Sequence, residues 1–356
     1  MAIDRTEQER YAEMRLDCLA ACADQAHVRA ALARQHIAVT GGTGFLGTWI
    51  AEMVGALNDE YKLGITLDIY ARNIGEWQRK APHLANRLDI RAHSQDVRSP
   101  FEFARSTSHV IHAAGIPNNR VHSSDPLRVH QTTVGGLNNA LDAATQLDGL
   151  RRFVNVSSCM VAGVPQRAGA LTETDCFPIP AGALHCVYTD AKRAAESVAA
   201  IYRSQFRLPI STVRPFTLTG AYQELDRPWA INNFMRDVLT GSEIRIHGDG
   251  SARRSYLYGS DAAWWTLAAL VGGVDGEVYN LGSAKPVSHL ELVGLIGERV
   301  SPRPRFAVNT SPARQQQQDD LFPDISATVK RLGVAQTCSL EQTIDKTYRW
   351  FATPRA

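Results

Sequence analysis

A tyrosine and a lysine stand four residues apart in the segment LHCVYTDAKRA, residues 184–194. The segment enters a stretch with helical spacing, residues 189–206, and residues four apart share one face of a helix. Free tyrosine has a pKa near 10, which is too high for a base at neutral pH. An ammonium group about 5 Å away, on Lys192, would stabilise the phenolate of Tyr188 by about 3 kcal/mol at an effective dielectric of about 20, or about 2 pKa units. The pair therefore predicts a proton donor and acceptor near physiological pH.

A glycine-rich turn is the second chemical signal. In VTGGTGFLGTW, the residues Gly41, Gly44 and Gly47 follow a short buried strand, residues 36–40, and open a helical stretch, residues 45–57. Glycines there allow a tight turn and a close approach of the backbone to a ligand. The helix N-terminus offers free N–H groups and a partial positive charge to a pyrophosphate. The turn therefore predicts a dinucleotide site.

The elements around these signals alternate between strand and helix. β-rich runs are predicted at residues 36–40, 65–71, 89–93, 109–114, 152–157 and 209–214, with helices at residues 45–57, 126–146 and 189–206. This alternation predicts an α/β fold with a doubly wound parallel sheet. We predict three parts: a helical extension (1–35), a dinucleotide-binding domain (36–215) and a smaller mixed substrate-binding part (216–356). The last contains helices at 230–240 and 261–271, and some of its segments are expected to return to the sheet.

Composition excludes several classes of protein. The chain of 356 residues has a net charge of +2, which does not indicate binding to nucleic acid or to a membrane surface. Its longest apolar run, residues 262–274, is too short to span a bilayer. Its six cysteines include no CxxC pair, so neither a zinc site nor a disulfide framework is indicated. The charged start contains no secretory signal, and a cytoplasmic location is expected. Residues 315–320 are predicted to form a short polar loop.

Several motifs together resemble one superfamily. The Gly-x-x-Gly-x-x-Gly turn is followed in order by HAAG (112–115), the Tyr-x-x-x-Lys pair, RPFTLTG (214–220), GDGSARRSYLYGSD (248–261) and YNLGS (279–283). The series resembles the extended short-chain dehydrogenase/reductases, and within them the nucleotide-sugar epimerases, dehydratases and reductases. The likeness covers residues 36–350. It implies a Rossmann-type fold, NAD or NADP as cofactor, a nucleoside-diphosphate sugar as substrate and a homodimer formed through two helices.

The resemblance also assigns roles to residues. Asp96 and Val97 correspond to the pair beside the adenine, and Ser157 to the residue on the nicotinamide side. Ser158 corresponds to the catalytic hydroxyl, with Tyr188 and Lys192 as the other catalytic residues, and Arg254 to the residue that binds the substrate diphosphate. The full predicted cofactor set is Gly41, Thr43, Gly44, Phe45, Leu46, Gly47, Arg72, Asp96, Val97, Ala113, Ala114, Ser157, Tyr188 and Lys192, and the predicted substrate set is Ser158, Cys159 and Arg254.

The end of the second strand bears on the choice of cofactor. An acidic residue there holds the ribose of NAD, whereas a basic residue suits the extra phosphate of NADP. The strand ends DIYARN, in which Asp68 comes too early and Arg72 occupies the tip. Arg72 therefore favours NADP, although an arginine stacked on the adenine or simply solvated would give the same sequence.

Departures from the family pattern reduce the number of reactions that the site could catalyse. Sugar 4,6-dehydratases carry an Asp-Glu pair after the catalytic hydroxyl, and decarboxylases of this type carry a Glu there, whereas this chain has Cys159 and Met160. Cys159 is either an epimerising thiol or a buried, inert one. The remaining residues suffice for a 4-epimerase, which we predict first. The alternatives are an NADPH-dependent 4-keto-6-deoxysugar reductase, which Arg72 favours, and a non-catalytic dinucleotide-binding scaffold.

Overall fold

The computed structural model of the protein describes residues 5–309 and 320–353. The predicted polar loop, residues 315–320, lies outside the described residues except for its last position. Within the described part, no helix is long and apolar enough to cross a membrane. The strands are β1 (His36–Thr40), β2 (Thr66–Ala71), β3 (Ile90–Ser94), β4 (His109–His112), β5 (Arg152–Val156), β6 (Ile210–Pro215), β7 (Thr217–Thr219), β8 (Ile244–His247), β9 (Arg253–Arg254), β10 (Tyr256–Tyr258), β11 (Val278–Leu281), β12 (Val287–Ser288) and β13 (Phe306–Asn309).

A seven-stranded sheet forms the centre of the protein, in the order β11-β6-β5-β4-β1-β2-β3. Every pairing within it is parallel. The order reverses between β1 and β4, and in such sheets ligands bind at the carboxyl ends of the strands near that reversal. Thr40 pairs with Tyr70 on one side and with His112 on the other, so the carboxyl ends of these strands are level. The predicted doubly wound α/β fold is confirmed.

Helices cover both faces of the sheet. The helices are α1 (Arg5–Cys22), α2 (Ala26–Leu32), α3 (Phe45–Tyr61), α4 (Ile74–Lys80), α5 (Pro82–Ala85), α6 (Asn119–Ser124), α7 (Pro126–His130), α8 (Gly136–Thr145), α9 (Val187–Phe206), α10 (Ala230–Leu239), α11 (Gly259–Gly272), α12 (His289–Arg299), α13 (Ser326–Leu332) and α14 (Leu340–Ala352). The helix predicted over 126–146 is interrupted by a π-helical turn, Gln131–Gly135. A Cβ on Gly136 would meet Val97 Cγ2 at 2.8 Å, so the glycine lets the helix pack closely against the segment after β3.

The N-terminal extension is helical over α1 and α2, and these helices pack against the rest of the protein. α1 lies against α3 and α11, and its Cys18 and Cys22 are fully buried. Lys346 of α14 donates to Glu13 and Asp17 of α1. The extension is therefore built into the same core as the sheet.

The chain after β6 contributes to two regions. β11 pairs with β6 at the edge of the main sheet, and α11 packs on α3 and β5. The remaining strands form three two-stranded sheets, β10-β7, β12-β9 and β13-β8. A second apolar cluster, which includes Phe234, Ile246 and Ile344, joins α10, α12 and α14 to β8.

Candidate active site

A cavity of about 1080 Å³ lies at the carboxyl edge of the central sheet. Its lining includes the turn after β1, the ends of β2, β4 and β5, the start of α9 and the segment from β7 to α10. Pockets for a single small ligand commonly measure about 300–1000 Å³. The cavity is therefore large enough to hold a dinucleotide together with a second ligand.

The glycine turn builds one wall of this cavity. Gly41 has a left-handed backbone (φ +68°), and a Cβ on it would meet backbone atoms of Ala114 at 2.7 Å. A Cβ on Gly47 would meet the backbone of Gly42 at 2.5 Å, so α3 approaches the turn as closely as two backbones allow. Gly44 is the N-cap of α3 and makes no capping hydrogen bond through a side chain, which leaves the first N–H groups of the helix to a ligand. These features fit a dinucleotide pyrophosphate.

Every predicted cofactor and substrate residue lines this one cavity. The structure thus brings together positions from residue 41 to residue 254 of the chain, and their binding roles remain predictions. Asp96 accepts hydrogen bonds from Arg98, including one of 2.6 Å from Nη2, and this contact lowers the pKa of Asp96 to about 2. Its carboxylate is therefore ionised and oriented beside the adenine end of the cavity that the resemblance implies.

The predicted catalytic residues lie side by side at the other end of the cavity. Tyr188 and Lys192 stand on the first turns of α9, and both are buried. Ser158 lies close enough to the phenol of Tyr188 to lower its pKa. Ser158 also caps the 3₁₀ turn Cys159–Ala162, because its Oγ accepts from Met160 N at 3.2 Å. Lys192 Nζ donates to the carbonyl of Val156 at the end of β5, at 2.9 Å.

The predicted lowering of the Tyr188 pKa by Lys192 is wrong for the protein on its own. Lys192 Nζ lies 5.9 Å from the centre of the phenol ring. Burial raises the pKa of Tyr188 to about 12, against an opposing effect of the nearby Ser158 side chain. The same burial lowers the pKa of Lys192 to about 8, although Glu196 opposes it. The charge that was expected to act on the phenol is itself destabilised by burial.

Burial also governs the thiol of Cys159. It is buried and packs with Ala162, Leu171 and Phe216. Burial raises its pKa to about 11, despite a hydrogen bond with Ser158 and the nearby charge of Arg254. Because the thiolate is the reactive form of cysteine, the buried, protonated alternative fits the structure.

Arg254 approaches the cavity from β9. Its Nη1 donates to the carbonyl of Arg253 at 2.8 Å. The side chain of Arg253 points elsewhere, since it pairs with Asp320 at 2.6 Å and lies over the ring of Phe322. Of the two neighbouring arginines, Arg254 is therefore the one placed at the cavity, as predicted from the motif.

Sequence reasoning missed several residues of the site. His122 of α6 stacks on the Tyr188 ring, with ring centres 4.3 Å apart and planes at 12°, and its Nε2 lies 2.6 Å from Ile116 O. Tyr222 and Trp229, from the segment between β7 and α10, also line the cavity. These positions lie in short helices and loops, where spacing carries no signal of what a side chain contacts.

Comparison with known proteins places the chain in a family. A family model described as "NAD dependent epimerase/dehydratase family" matches residues 37–282. UDP-N-acetyl-alpha-D-glucosaminuronate decarboxylase of Bacillus cytotoxicus is 26% identical over 88% of this chain and 96% of its own length. UDP-glucuronic acid decarboxylase 1 of Danio rerio is 23% identical over 90% of this chain and 73% of its own.

Solved structures have the same fold. UDP-glucuronic acid 4-epimerase from Bacillus cereus, in complex with UDP-glucuronic acid and NAD, superposes with a TM-score of 0.75 at 22% identity, over 89% of this chain and 98% of that one. UDP-N-acetylglucosamine 4-epimerase from Methanobrevibacter ruminantium gives 0.75 at 20% identity, over 90% and 98%. Together with the glycine turn and the Tyr-Lys pair, the family match shows that the chain belongs to the NAD dependent epimerase/dehydratase family and is an enzyme of the extended short-chain dehydrogenase/reductase type.

Proposed function

We propose that the protein is a nucleoside-diphosphate-sugar 4-epimerase that works through hydride transfer at C4. The observation that carries the proposal is the buried group of Tyr188, Ser158 and Lys192 at one end of a cavity large enough for two ligands. The solved relatives that share the fold include two UDP-sugar 4-epimerases, which supports a substrate of this class.

The residues of the site divide the chemistry between them. A nicotinamide dinucleotide held by the glycine turn, with Ser157 on its nicotinamide side, would supply a reversible hydride acceptor for C4. Tyr188 takes the proton of the C4 hydroxyl and later gives it back, and Ser158 holds the same oxygen by a hydrogen bond. Lys192 keeps a positive charge near the phenol, so it favours the phenolate that forms when Tyr188 loses its own proton to solvent, before it takes the proton of the C4 hydroxyl. With these roles, inversion of C4 would require the 4-keto sugar to present its opposite face to the same cofactor.

The lack of a further acid–base group beside Ser158 supports epimerisation over elimination. Dehydration needs one group to remove a C5 proton and another to protonate the leaving hydroxyl. The two residues after Ser158 are Cys159, whose pKa is raised to about 11, and Met160, which does not titrate. The same observation argues against the decarboxylase activity of the sequence relatives, for which the family pattern has a Glu at position 160.

The test is an assay of the purified enzyme with a panel of UDP-, GDP- and dTDP-sugars. An epimerase interconverts two C4 epimers with no net change in nicotinamide absorbance. Tyr188→Phe removes the proton carrier, so we expect turnover to fall by about 10²–10⁴-fold while dinucleotide affinity changes little. Undiminished turnover by Tyr188→Phe, or release of CO₂ or water from the sugar, would contradict the proposal.

A second candidate, an NADPH-dependent 4-ketosugar reductase, is favoured by the end of β2. Arg72 is exposed and lines the cavity together with Lys80. Ala71 occupies the position at which NAD enzymes carry an acid. The one carboxylate within residues 71–80, Glu76, is bound to Lys80 at 2.7 Å and to Asn73 at 3.0 Å. This arrangement supports NADP as the preferred cofactor.

Binding measurements with the four dinucleotides test the cofactor. If Arg72 bonds the 2′-phosphate, Arg72→Ala should weaken NADP⁺ and NADPH by about 10–100-fold, the value of one charge-assisted hydrogen bond, and leave NAD⁺ and NADH unchanged. Arg79→Ala, on α4 but outside the cavity lining, is the matched control. Equal losses for both cofactor types would contradict NADP preference. A separate assay distinguishes the two candidate reactions: a reductase oxidises NADPH when given a 4-keto sugar, whereas an epimerase causes no net oxidation.

A further inference from the structure

The N-terminal helix lies outside the segment that the family model matches, and its side chains contact α5 and α14. Tyr11 of α1 stacks on His83 of α5, with ring centres 3.6 Å apart and planes at 25°. Trp350 of α14 lies beside the same tyrosine, at 6.3 Å between ring centres. Tyr11 therefore sits between two elements that are far apart in the chain.

His83 also contacts a buried carboxylate, that of Glu52. Its Nε2 lies 2.7 Å from Glu52 Oε1, and Glu52, on α3, is buried. Because a carboxylate oxygen only accepts, His83 carries its proton on Nε2 in this contact. The hydroxyl of Tyr222 donates to the same Glu52 oxygen. A buried carboxylate is costly unless its oxygens are hydrogen-bonded, so both donors hold Glu52 in place, and Glu52 in turn holds them.

Tyr222 is the residue of this chain of contacts that lines the cavity. Its backbone is left-handed (φ +68°), which is a strained conformation for a tyrosine and persists only where the surroundings impose it. Trp350 packs edge-on against its ring at 4.9 Å, and Trp49 Nε1 donates to the carbonyl of Ala221 at 3.1 Å. α1, α3 and α14 thus converge on a single turn of the cavity wall.

The turn at Tyr222 continues into a segment that lines the same side of the cavity. Gln223, Glu224, Arg227 and Trp229 follow Tyr222 and line the cavity before α10 begins at Ala230. They face the cavity from the side of β7 and β10, where Arg254 also lies, rather than from the glycine turn. We propose that Tyr11, His83 and Glu52 are positioning residues, which act through Tyr222 to hold residues 221–229 in the shape that binds the nucleotide-sugar.

The experiment uses UDP as the probe and rests on the proposed function. Tyr11→Ala removes the stacking partner of His83, Tyr11→Phe keeps it, and Tyr222→Phe removes only the hydroxyl bound to Glu52. Arg15→Ala is the matched control, because it breaks an exposed ion pair of α1 with Glu60 and leaves the chain of contacts untouched. The measurements are the Kd for UDP, the Kd for the dinucleotide, and KM and kcat for the sugar that the panel identifies.

We expect Tyr11→Ala and Tyr222→Phe each to weaken UDP by about tenfold and to raise KM with kcat and dinucleotide affinity little changed. Tyr11→Phe should behave as wild type, and the double variant should bind UDP no worse than the weaker single variant, because both changes break one chain of contacts. Unchanged UDP affinity in both single variants, or equal loss of UDP and dinucleotide affinity, would overturn the inference. Failure of the wild-type protein to bind UDP, GDP or dTDP would instead count against the proposed function.

Discussion

At the scale of single residues, the site is governed by burial. Tyr188 and Lys192 are both buried, and burial favours the neutral form of each side chain. It raises the pKa of the Tyr188 phenol to about 12 and lowers the pKa of the Lys192 ammonium to about 8. At pH 7 Lys192 is therefore still protonated, but its pKa lies only about one unit above that pH. A hydrogen bond also fixes the position of the ammonium group, because Nζ donates to Val156 O at the end of β5.

Lys192 therefore sets an expected alkaline limit to activity. Below about pH 8 the ammonium is charged and supports proton transfer by Tyr188, and above it the charge is lost, so kcat/KM should fall as pH rises past about 8. The arginine of Lys192→Arg keeps its charge to above pH 12 but does not reproduce the geometry of the lysine. We therefore expect lower activity overall, with the alkaline fall in kcat/KM moved to higher pH. The measurement is kcat/KM from pH 6 to pH 10. The same alkaline fall in both enzymes would assign it to another group.

The sequence predicted which residues line the site more fully than it predicted their electrostatics. Most of the predicted residues lie in short motifs that follow strands of the central sheet, whose carboxyl ends meet at one edge, whereas Tyr188 and Lys192 lie on α9 and Arg254 lies on β9. The pKa of Tyr188 could not be predicted in this way, because it depends on how much protein covers the phenol. His122 and Tyr222 were missed since their contacts come from segments without periodicity.

At the scale of elements, strands were easier to predict than helix interruptions. β1 spans the predicted residues, β2 begins one residue later than predicted, and β6 is shifted by one residue, because buried parallel strands read as short apolar runs between turn residues. The break in the helix over 126–146 was not predicted. Gly136, the first residue after the π-helical turn, packs closely against Val97 from another part of the chain, a contact that periodicity does not indicate.

The turn after β1 gives a prediction at this scale. Gly47→Ala would place a Cβ 2.5 Å from the backbone of Gly42, so α3 or the turn must move. We expect a loss of about 1–3 kcal/mol in the free energy of unfolding, typical of overpacking, and a weaker affinity for the dinucleotide. Urea unfolding and dinucleotide titration measure the two effects. Gly75→Ala, whose Cβ would meet nothing nearer than 3.9 Å, is the control, and wild-type behaviour of Gly47→Ala would contradict the close packing described above.

At the scale of the whole molecule, the protein depends on contacts between distant parts of the chain. β11 completes the sheet beside β6, and α14 binds α1 through Lys346 across more than 300 residues. Sequence analysis predicted that segments after residue 215 would return to the sheet, but not which ones pair. A run of four residues such as β11 carries too little pattern to specify its neighbour.

The edge of the sheet shows how such contacts govern the response of the molecule to acid. Asp68 of β2 is almost fully buried, and it binds Arg91 of β3 at 2.7 Å, His36 of β1 at 2.8 Å and His93 of β3 at 3.3 Å. Burial alone would raise its pKa, but these hydrogen bonds outweigh burial and hold the pKa at about 2. Because the pKa is lower in the folded protein than in the unfolded chain, the stabilisation is present above about pH 4 and is lost as pH falls through about 2.

A shift of about 2 pKa units corresponds to about 2.5 kcal/mol of unfolding free energy. Asp68→Asn should therefore lose about 1–3 kcal/mol at pH 7, since the half-exposed Arg91 that it leaves without a charged partner is solvated by water, and its stability should change less than that of wild type between pH 4 and pH 2. Urea unfolding at pH 2.5, 4 and 7 measures both effects. Asp59→Asn, which breaks a more exposed pair with Arg87, is the control and should follow the wild-type profile closely. Parallel profiles for Asp68→Asn and wild type would show that acid unfolds the protein through other carboxylates, and that the edge of the sheet is held together without this network.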